Sequence, residues 1–188
     1  MLQHIRPALV LLAVFTLLTG AIYPMLVTGL AQLAVPAAAN GSLVEKNGTV
    51  IGSGLVGQRF VSDRYFWPRP SAAGAEGYDA AASSGSNLGP LSQKLIARVE
   101  ADVAALGPTA GVRIPVDAVT TSASGLDPHI SPANARLQAA RVAMARKMRE
   151  DEVLALLATM TETPFAGLVG EPRVNVLRLN MALDARAP

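Results

Sequence analysis

Hydrophobic positions divide this chain into one long uninterrupted run and a remainder in which apolar residues recur at intervals. No charged residue occurs between Arg6 and Glu45, and from Pro7 to Leu33 the apolar run is interrupted only by Thr16, Thr19, Thr28 and Gln32. At ~1.5 Å per residue the run is roughly 40 Å long, enough to cross a ~30 Å hydrocarbon core once with some tilt, and not twice. The pattern predicts an N-terminus at 1–6, a transmembrane helix at 7–34, a small-residue connector at 35–42 and an exposed domain at 43–188. A cleaved signal peptide is the rival reading, with Arg6 as its basic start and Ala37, Ala38 and Ala39 as its cleavage site. Its apolar region is normally ~7–15 residues, about half the run seen here, so retention as an anchor is preferred.

Within the helix, Ala13, Thr16 and Gly20 fall three and four apart, a strip of small residues where another helix can approach closely. Pro24 is expected to bend the helix, because its ring meets the carbonyl of Gly20 and it has no N–H to donate. Arg6 is the basic residue before the helix, whereas Glu45 and Lys46 cancel beyond it. The positive-inside rule then places residues 1–6 in the cytoplasm and the domain outside.

Beyond the connector the periodicity shortens. Leu43 to Ile51 is two short β-prone runs around Asn47-Gly48, a pair suited to the positive φ angles of a type I′ turn, so the domain is expected to open with a hairpin. Phe60, Tyr65, Phe66 and Trp67 gather much of the aromatic content ahead of Pro68-Arg69-Pro70-Ser71, whose prolines hold the backbone extended. These rings serve either as core or, as Tyr65, Phe66, Trp67 and Arg69, as an anchor for a partner protein. An Ala, Gly and Ser-rich stretch over 72–90 follows. Leu91, Leu95, Val99, Val103 and Leu106 then recur at helical spacing up to Gly107-Pro108, predicting an amphipathic helix docked on the core. Ser131-Pro132 is an N-cap and first-turn pair opening a second helix, with Ala133, Leu137, Ala140, Met144 and Met148 as its apolar stripe and its arginines on a solvated face. A third helix is expected from about Asp151, and a closing strand over Val174 to Leu183. The sum is an α+β exposed domain on a single N-terminal transmembrane helix.

Composition narrows the chemistry. The 188 residues contain no Cys and two His, which excludes disulfides, thiolate metal sites and thiol nucleophiles and leaves little for a histidine metal centre. A net charge of +2 with no concentrated basic face argues against nucleic acid as a partner. A mean hydropathy of +0.34 fits a chain that lies partly in lipid. No phosphate-binding glycine loop and no G-x-S-x-G elbow occurs. The most site-like group is Ser122, Ser124, Asp127 and His129. A hydroxyl, a carboxylate and an imidazole close in sequence also describe a rigid turn before a helix, which is the preferred reading. No catalytic, cofactor or metal residue is assigned.

Several blocks, in order along nearly the whole chain, resemble one family. They are Gly57-Gln58 with Phe60, Tyr65 to Ala72, Gly85 to Pro90, Val119 to Pro132, and Val174 to Leu177 with Leu179-Asn180. Together with the single N-terminal helix they are similar to the C subunits of the bacterial Kdp potassium-transporting ATPase. The resemblance implies an accessory subunit of the bacterial inner membrane, partnered by a P-type ATPase subunit, a channel-like potassium-binding subunit and a small single-helix subunit. It also implies a catalytic chaperone that raises the ATP affinity of the ATPase subunit, with ATP and potassium acting at the level of the complex. A domain outside the membrane can affect a cytoplasmic ATP site only through coupling between distant sites. A membrane-anchored hydrolase using Ser122 or Ser124, and a secreted binding module, are the alternatives from other classes.

Overall fold

The computed structural model describes residues 2–107, 113–164, 167 and 170–186. Met1, Pro108 and the last two residues of the 43–188 interval lie outside them. The chain divides into two compact units, 1–51 and 52–188.

The first unit is dominated by α1 (Ile5–Ala34), an apolar helix of 30 residues and a candidate membrane span. None of its residues is buried by the rest of the chain. It is not uniformly α-helical. Over Leu18–Ile22 the helix widens to a π turn, in which the Tyr23 N–H donates to the Leu18 carbonyl five residues back. This turn immediately precedes Pro24, whose missing N–H and bulky ring disturb the i→i−4 ladder at this point. The connector at 35–42 is more ordered than its composition implies. Pro36–Ala39 forms a helical turn, α2, and the side-chain amides of Asn40 and Gln32 exchange two hydrogen bonds of 3.1 Å. The hairpin then forms as expected from β1 (Leu43–Lys46) and β2 (Thr49–Ser53), with Asn47 at φ 53° and Gly48 at φ 76°. Both turn residues are left-handed, the geometry Asn-Gly tolerates best.

The second unit is built from α3 (Gln93–Ala105), β3 (His129–Ile130), α4 (Pro132–Arg146), α5 (Glu150–Met160), β4 (Thr161–Glu162), β5 (Arg173–Asn175) and α6 (Val176–Asp184). The strands form a small antiparallel sheet in the order β3-β5-β4, with Ile130 and Thr161 both opposite Val174. Helices α4, α5 and α6 pack around it. The core is Ala135, Ala139, Val142 and Ala143 of α4, Val153, Leu156 and Leu157 of α5, Val176, Leu179 and Leu183 of α6, and Phe66 from an irregular segment. Alanines on α4 let it approach α5 closely. The first turn of α5 carries Glu150, Asp151 and Glu152, which complement the positive end of the helix.

Three expectations are corrected. The closing strand is only three residues long. Asn175 ends it, and its side-chain oxygen accepts from the Arg178 N–H at 3.1 Å, so Val176 to Leu183 continue as capped helix α6. Buried Val176, Leu179, Asn180 and Leu183 follow the helical period that the apparent alternation masked. Helix α3 occupies nearly its expected range and turns Leu95, Val99 and Val103 inward as expected, but these are only half-buried and Leu91 is exposed. Helix α4 is turned the other way. It buries Asn134, Gln138 and Arg146 with its small apolar residues, while Ala133, Ala140 and Met144 are exposed.

Candidate functional site

The reason for the reversal of α4 is the segment Asp63 to Ser71. Pro68 and Pro70 keep it extended and outside any strand ladder, so its backbone groups need partners from elsewhere. Side chains from two helices supply them. The Phe66 N–H donates to Asn180 Oδ1 at 2.8 Å and the Asn180 Nδ2 donates to the Phe66 carbonyl at 3.0 Å. Trp67 is bracketed in the same way by Gln138, which accepts from its N–H at 2.7 Å and donates to its carbonyl at 3.0 Å. Consecutive residues therefore have both backbone groups satisfied by one amide each, from α6 and from α4. Arg141 donates to the carbonyls of Asp63 and Tyr65, and Arg146 to that of Arg64.

The side chains of this strap are placed accordingly. Phe66 is fully buried and its ring belongs to the core of this chain. The Tyr65 hydroxyl donates to Asp184, which also pairs with the buried Arg146 guanidinium at 2.8 Å. Trp67 is half-buried, with Arg141 stacked 3.6 Å from its ring centre and its indole N–H on the Ser62 carbonyl. Arg69 pairs with Asp127 at 2.9 Å and also reaches the carbonyls of Thr120 and Thr121, joining the strap to the loop before β3. The Tyr78 hydroxyl donates to the Arg69 carbonyl, and burial pushes that phenol up from its ordinary range.

Ser122, Ser124 and Asp127 lie on that same loop and His129 opens β3, and the four do not assemble a triad. Ser122 Oγ accepts from the Gly125 N–H at 2.9 Å, and Ser124 Oγ from the Leu126 N–H at 3.1 Å. Among the described residues neither hydroxyl is bonded to the His129 ring. Gly125 is required here: at φ 68°, a Cβ would lie 2.6 Å from the Ser84 carbonyl oxygen. Asp127 Oδ1 accepts from the His129 N–H at 3.0 Å and lies 3.4 Å from its ring nitrogen Nδ1. Burial opposes the charged carboxylate of Asp127, but the bonds from His129 and Arg69 outweigh it and hold the group at about 2. Ser131 Oγ caps α4 by accepting from the Asn134 N–H at 3.0 Å. Asp117 gathers the Ser131 N–H, the Ser131 hydroxyl and the Asn134 amide around this helix start.

Two open depressions flank the strap. A polar one of about 440 Å³ lies among Arg69, Asp117, Asp127, His129, Glu171 and Arg173. A more apolar one of about 330 Å³ lies between Phe60, Trp67 and Pro68 on one side and Asp102 and Ala105 of α3 with the following Leu106 on the other. Among the described residues no group of three or more His, Asp or Glu side chains is placed to hold a metal ion. On α1, Ala13, Thr16 and Gly20 line one shallow groove with Leu9, Leu12, Leu17 and Ala21. Pro24 lies just beyond the π turn.

Sequence reasoning missed Asp117, Asn134, Gln138, Arg141, Arg146 and Asn180, the residues that hold the strap and the helix start. One signal was present: Asn134 and Gln138 are four apart on a helix with three arginines and no acid, an arrangement that makes one polar face.

With this geometry in place, the sequence was compared with known proteins. The family model described as K+-transporting ATPase, c chain, matches residues 5–185. The chain belongs to the KdpC family. A potassium-transporting ATPase KdpC subunit of Caulobacter vibrioides is 60% identical over 190 residues, covering 100% of this chain and 96% of that protein. The KdpC subunit of Gemmatimonas aurantiaca is 58% identical over 98% of this chain and 94% of its own length. That of Methylococcus capsulatus is 54% identical over 98% of this chain and 99% of its own length. For a KdpC chain, the strap and the Thr120 to His129 loop are thus the segments in which the densest polar network and the resemblance read from sequence coincide.

Proposed function

We propose that this chain is a non-catalytic accessory subunit of an ATP-driven potassium uptake pump, needed for assembly of the complex and able to raise the ATP affinity of its ATPase subunit. Membership of the KdpC family supports the pump assignment. The observation that carries the non-catalytic part is the commitment of the hydroxyls, carboxylates and guanidiniums around the strap to backbone groups and to one another. A nucleophile needs a base within about 3 Å and an acid that orients that base, and these side chains are spent on holding the chain together. The partners on this reading are a P-type ATPase subunit, a channel-like potassium-binding subunit and a small single-helix subunit. ATP and potassium act at the level of the complex.

On the same reading α1 crosses the bacterial inner membrane once, with Arg6 on the cytoplasmic side and the second unit in the periplasm. ATP affinity is then altered from the far side of the membrane, through two states of the pump that this subunit binds unequally. The strip of Ala13, Thr16 and Gly20 is a packing face for a partner helix. Apart from its own stretch of helix, a Cβ on Gly20 meets no atom of this chain within 4 Å, so a larger residue there has room in the chain taken alone. Gly20→Leu is therefore expected to release the subunit in detergent without altering the melting of the second unit.

The deciding experiment is purification of the tagged chain in mild detergent, followed by potassium-stimulated ATPase activity per assembled complex for wild type and His129→Ala. The reading requires stoichiometric recovery of the ATPase and channel subunits and near-normal activity per complex. A large loss of activity in a normally assembled, normally melting complex overturns the non-catalytic assignment. Protease added to intact spheroplasts checks the orientation, with degradation of the second unit expected and full protection contradicting it.

A further inference from the structure

Helix α3 sits against the strap without being built into the core. Leu95, Val99 and Val103 are half-buried, Ile96 is 41% exposed, and among the described residues no helix or strand packs extensively along it. One side-chain hydrogen bond among the described residues ties it to the rest of the unit, from Arg98 Nη2 to the Val119 carbonyl at 3.4 Å. The strap does not depend on it. Phe66 and Trp67 are bracketed by α6 and α4, so α3 can move without unpairing either of them.

The charged contact that α3 buries is poorly satisfied. Arg98 Nη1 lies 3.5 Å from Asp102 Oδ2, an ion pair without a hydrogen bond. Arg98 Nε and Nη1 and Asp102 Oδ2 are all shielded from solvent, and none has a hydrogen-bond partner among the described residues. Buried polar atoms are normally paired, and charged groups left without a bond carry the largest desolvation cost. The same desolvation pushes the Asp102 carboxyl up, against the pull of the Arg98 charge. Outward movement of α3 lets water reach all three atoms and uncovers apolar side chains that are only half-buried to begin with. Hydration thus opposes a modest apolar gain, the condition under which one element opens separately from its domain.

Both ends of the helix permit that movement. Before it, Ser92 makes no side-chain cap bond and a Cβ on Gly89 meets nothing within 4 Å. After it, Gly107 is left-handed at φ 79° in equally open surroundings. Between α3 and the strap lies the depression of about 330 Å³, with Trp67 and Pro68 on one wall and Asp102 and Ala105 on the other.

We propose that α3 is a hinged flap that exchanges between the docked position described above and an undocked one, in which the depression opens beside Trp67 and Arg98 and Asp102 become hydrated. The inference rests on contacts within this chain and is independent of the accessory-subunit reading.

The chain has no Cys and a single Trp, so a probe pair can be placed uniquely. The test uses the full-length chain in mild detergent carrying Ala105→Cys, an exposed position on the rim, labelled with bimane, whose emission is quenched by contact with an indole. Docked α3 holds the label beside Trp67, and undocked α3 carries it away. Two bimane lifetimes are expected, and a Trp67→Phe control, which keeps the backbone brackets, should show only the long one. Leu95→Ala/Val99→Ala should raise the share of the long lifetime about threefold. Arg98→Leu/Asp102→Leu replaces an under-bonded buried pair with apolar side chains and should lower that share about threefold. A single short lifetime in the otherwise wild-type chain means that α3 is fixed in place, and a single long one means that it is not docked at all; either overturns the proposal. So does a long-lifetime share that the leucine pair leaves unchanged or raises, because the buried charges are then not what drives α3 outward. Hydrogen exchange on the unlabelled full-length chain is the second measurement. The amides of α3 should exchange together and faster than those of α4, and equal protection of the two helices overturns the flap.

Discussion

Helices α3 and α4 are of similar length and sit in the same unit, yet the one with the weaker apolar spacing is the more deeply buried. Helix α3 carries regular apolar spacing and buries none of its residues; Leu91 just before it is 90% exposed and Ile96 is 41% exposed. Helix α4 carries weaker spacing and buries seven residues, three of them polar. The difference lies in what each helix faces. Helix α4 faces a proline-stiffened strap whose carbonyls and N–H groups cannot be left unpaired in a dry interior, so amides and guanidiniums are drawn inward. Helix α3 faces the open depression beside Trp67 and is tied to the chain by the Arg98 bond to the Val119 carbonyl, while Arg98 also pairs with Asp102 one turn along the same helix. Burial pushes the Asp102 carboxyl up from its usual range, although the nearby Arg98 charge opposes the shift.

The comparison is broken most directly at Asn180. Asn180→Leu removes both partners of the fully buried Phe66 backbone, so the second unit should lose about 3 kcal/mol in denaturant unfolding. A loss below about 1 kcal/mol would show that the strap finds other partners and that hydrogen-bond demand does not orient α4. Asp127 sharpens the contrast at the other end of the strap. Its folded pKa lies below its unfolded value, so its contribution is fully present above about pH 4 and is lost as pH falls toward about 2. The stability gap between wild type and Asp127→Asn should therefore be widest near neutral pH and close in acid. A gap independent of pH would place the effect in packing.

Smaller effects are expected at Arg141 and on α3. Trp67 is the single tryptophan, so its emission reports the stacked guanidinium directly. Arg141→Lys should shift that emission and cost about 1 kcal/mol, because an ammonium keeps the charge but loses the planar stack and the fork to Tyr65. On α3, Leu95→Ala should cost less than about 1 kcal/mol, well under the 2–5 of a buried leucine. A cost in the buried range would mean that α3 is docked in solution more firmly than its exposure indicates.

Much of the fold was legible. The long helix, the Asn47-Gly48 hairpin, the Ser131 cap and the start of α5 each depend on interactions within a few residues, which local sequence encodes. The resemblance carried by Tyr65 to Ala72 and Val119 to Pro132 pointed to the KdpC family. The candidate site was legible only in part. The strap and the loop were singled out, but the residues holding them lie on α4 and α6, at sequence separations of 71 to 114 for the Trp67 and Phe66 brackets.

By itself, then, the sequence determined where helices can form, where turns must occur and which chemistry is absent, because those follow from residue spacing, side-chain capping and composition. Only the tertiary structure decided which face of α4 is inside, that Asn175 ends a strand and caps a helix, and that α3 is no more than half-buried. Those outcomes depend on pairing backbone groups of one irregular segment with side chains far away in the chain, a demand that no local pattern of apolar positions records.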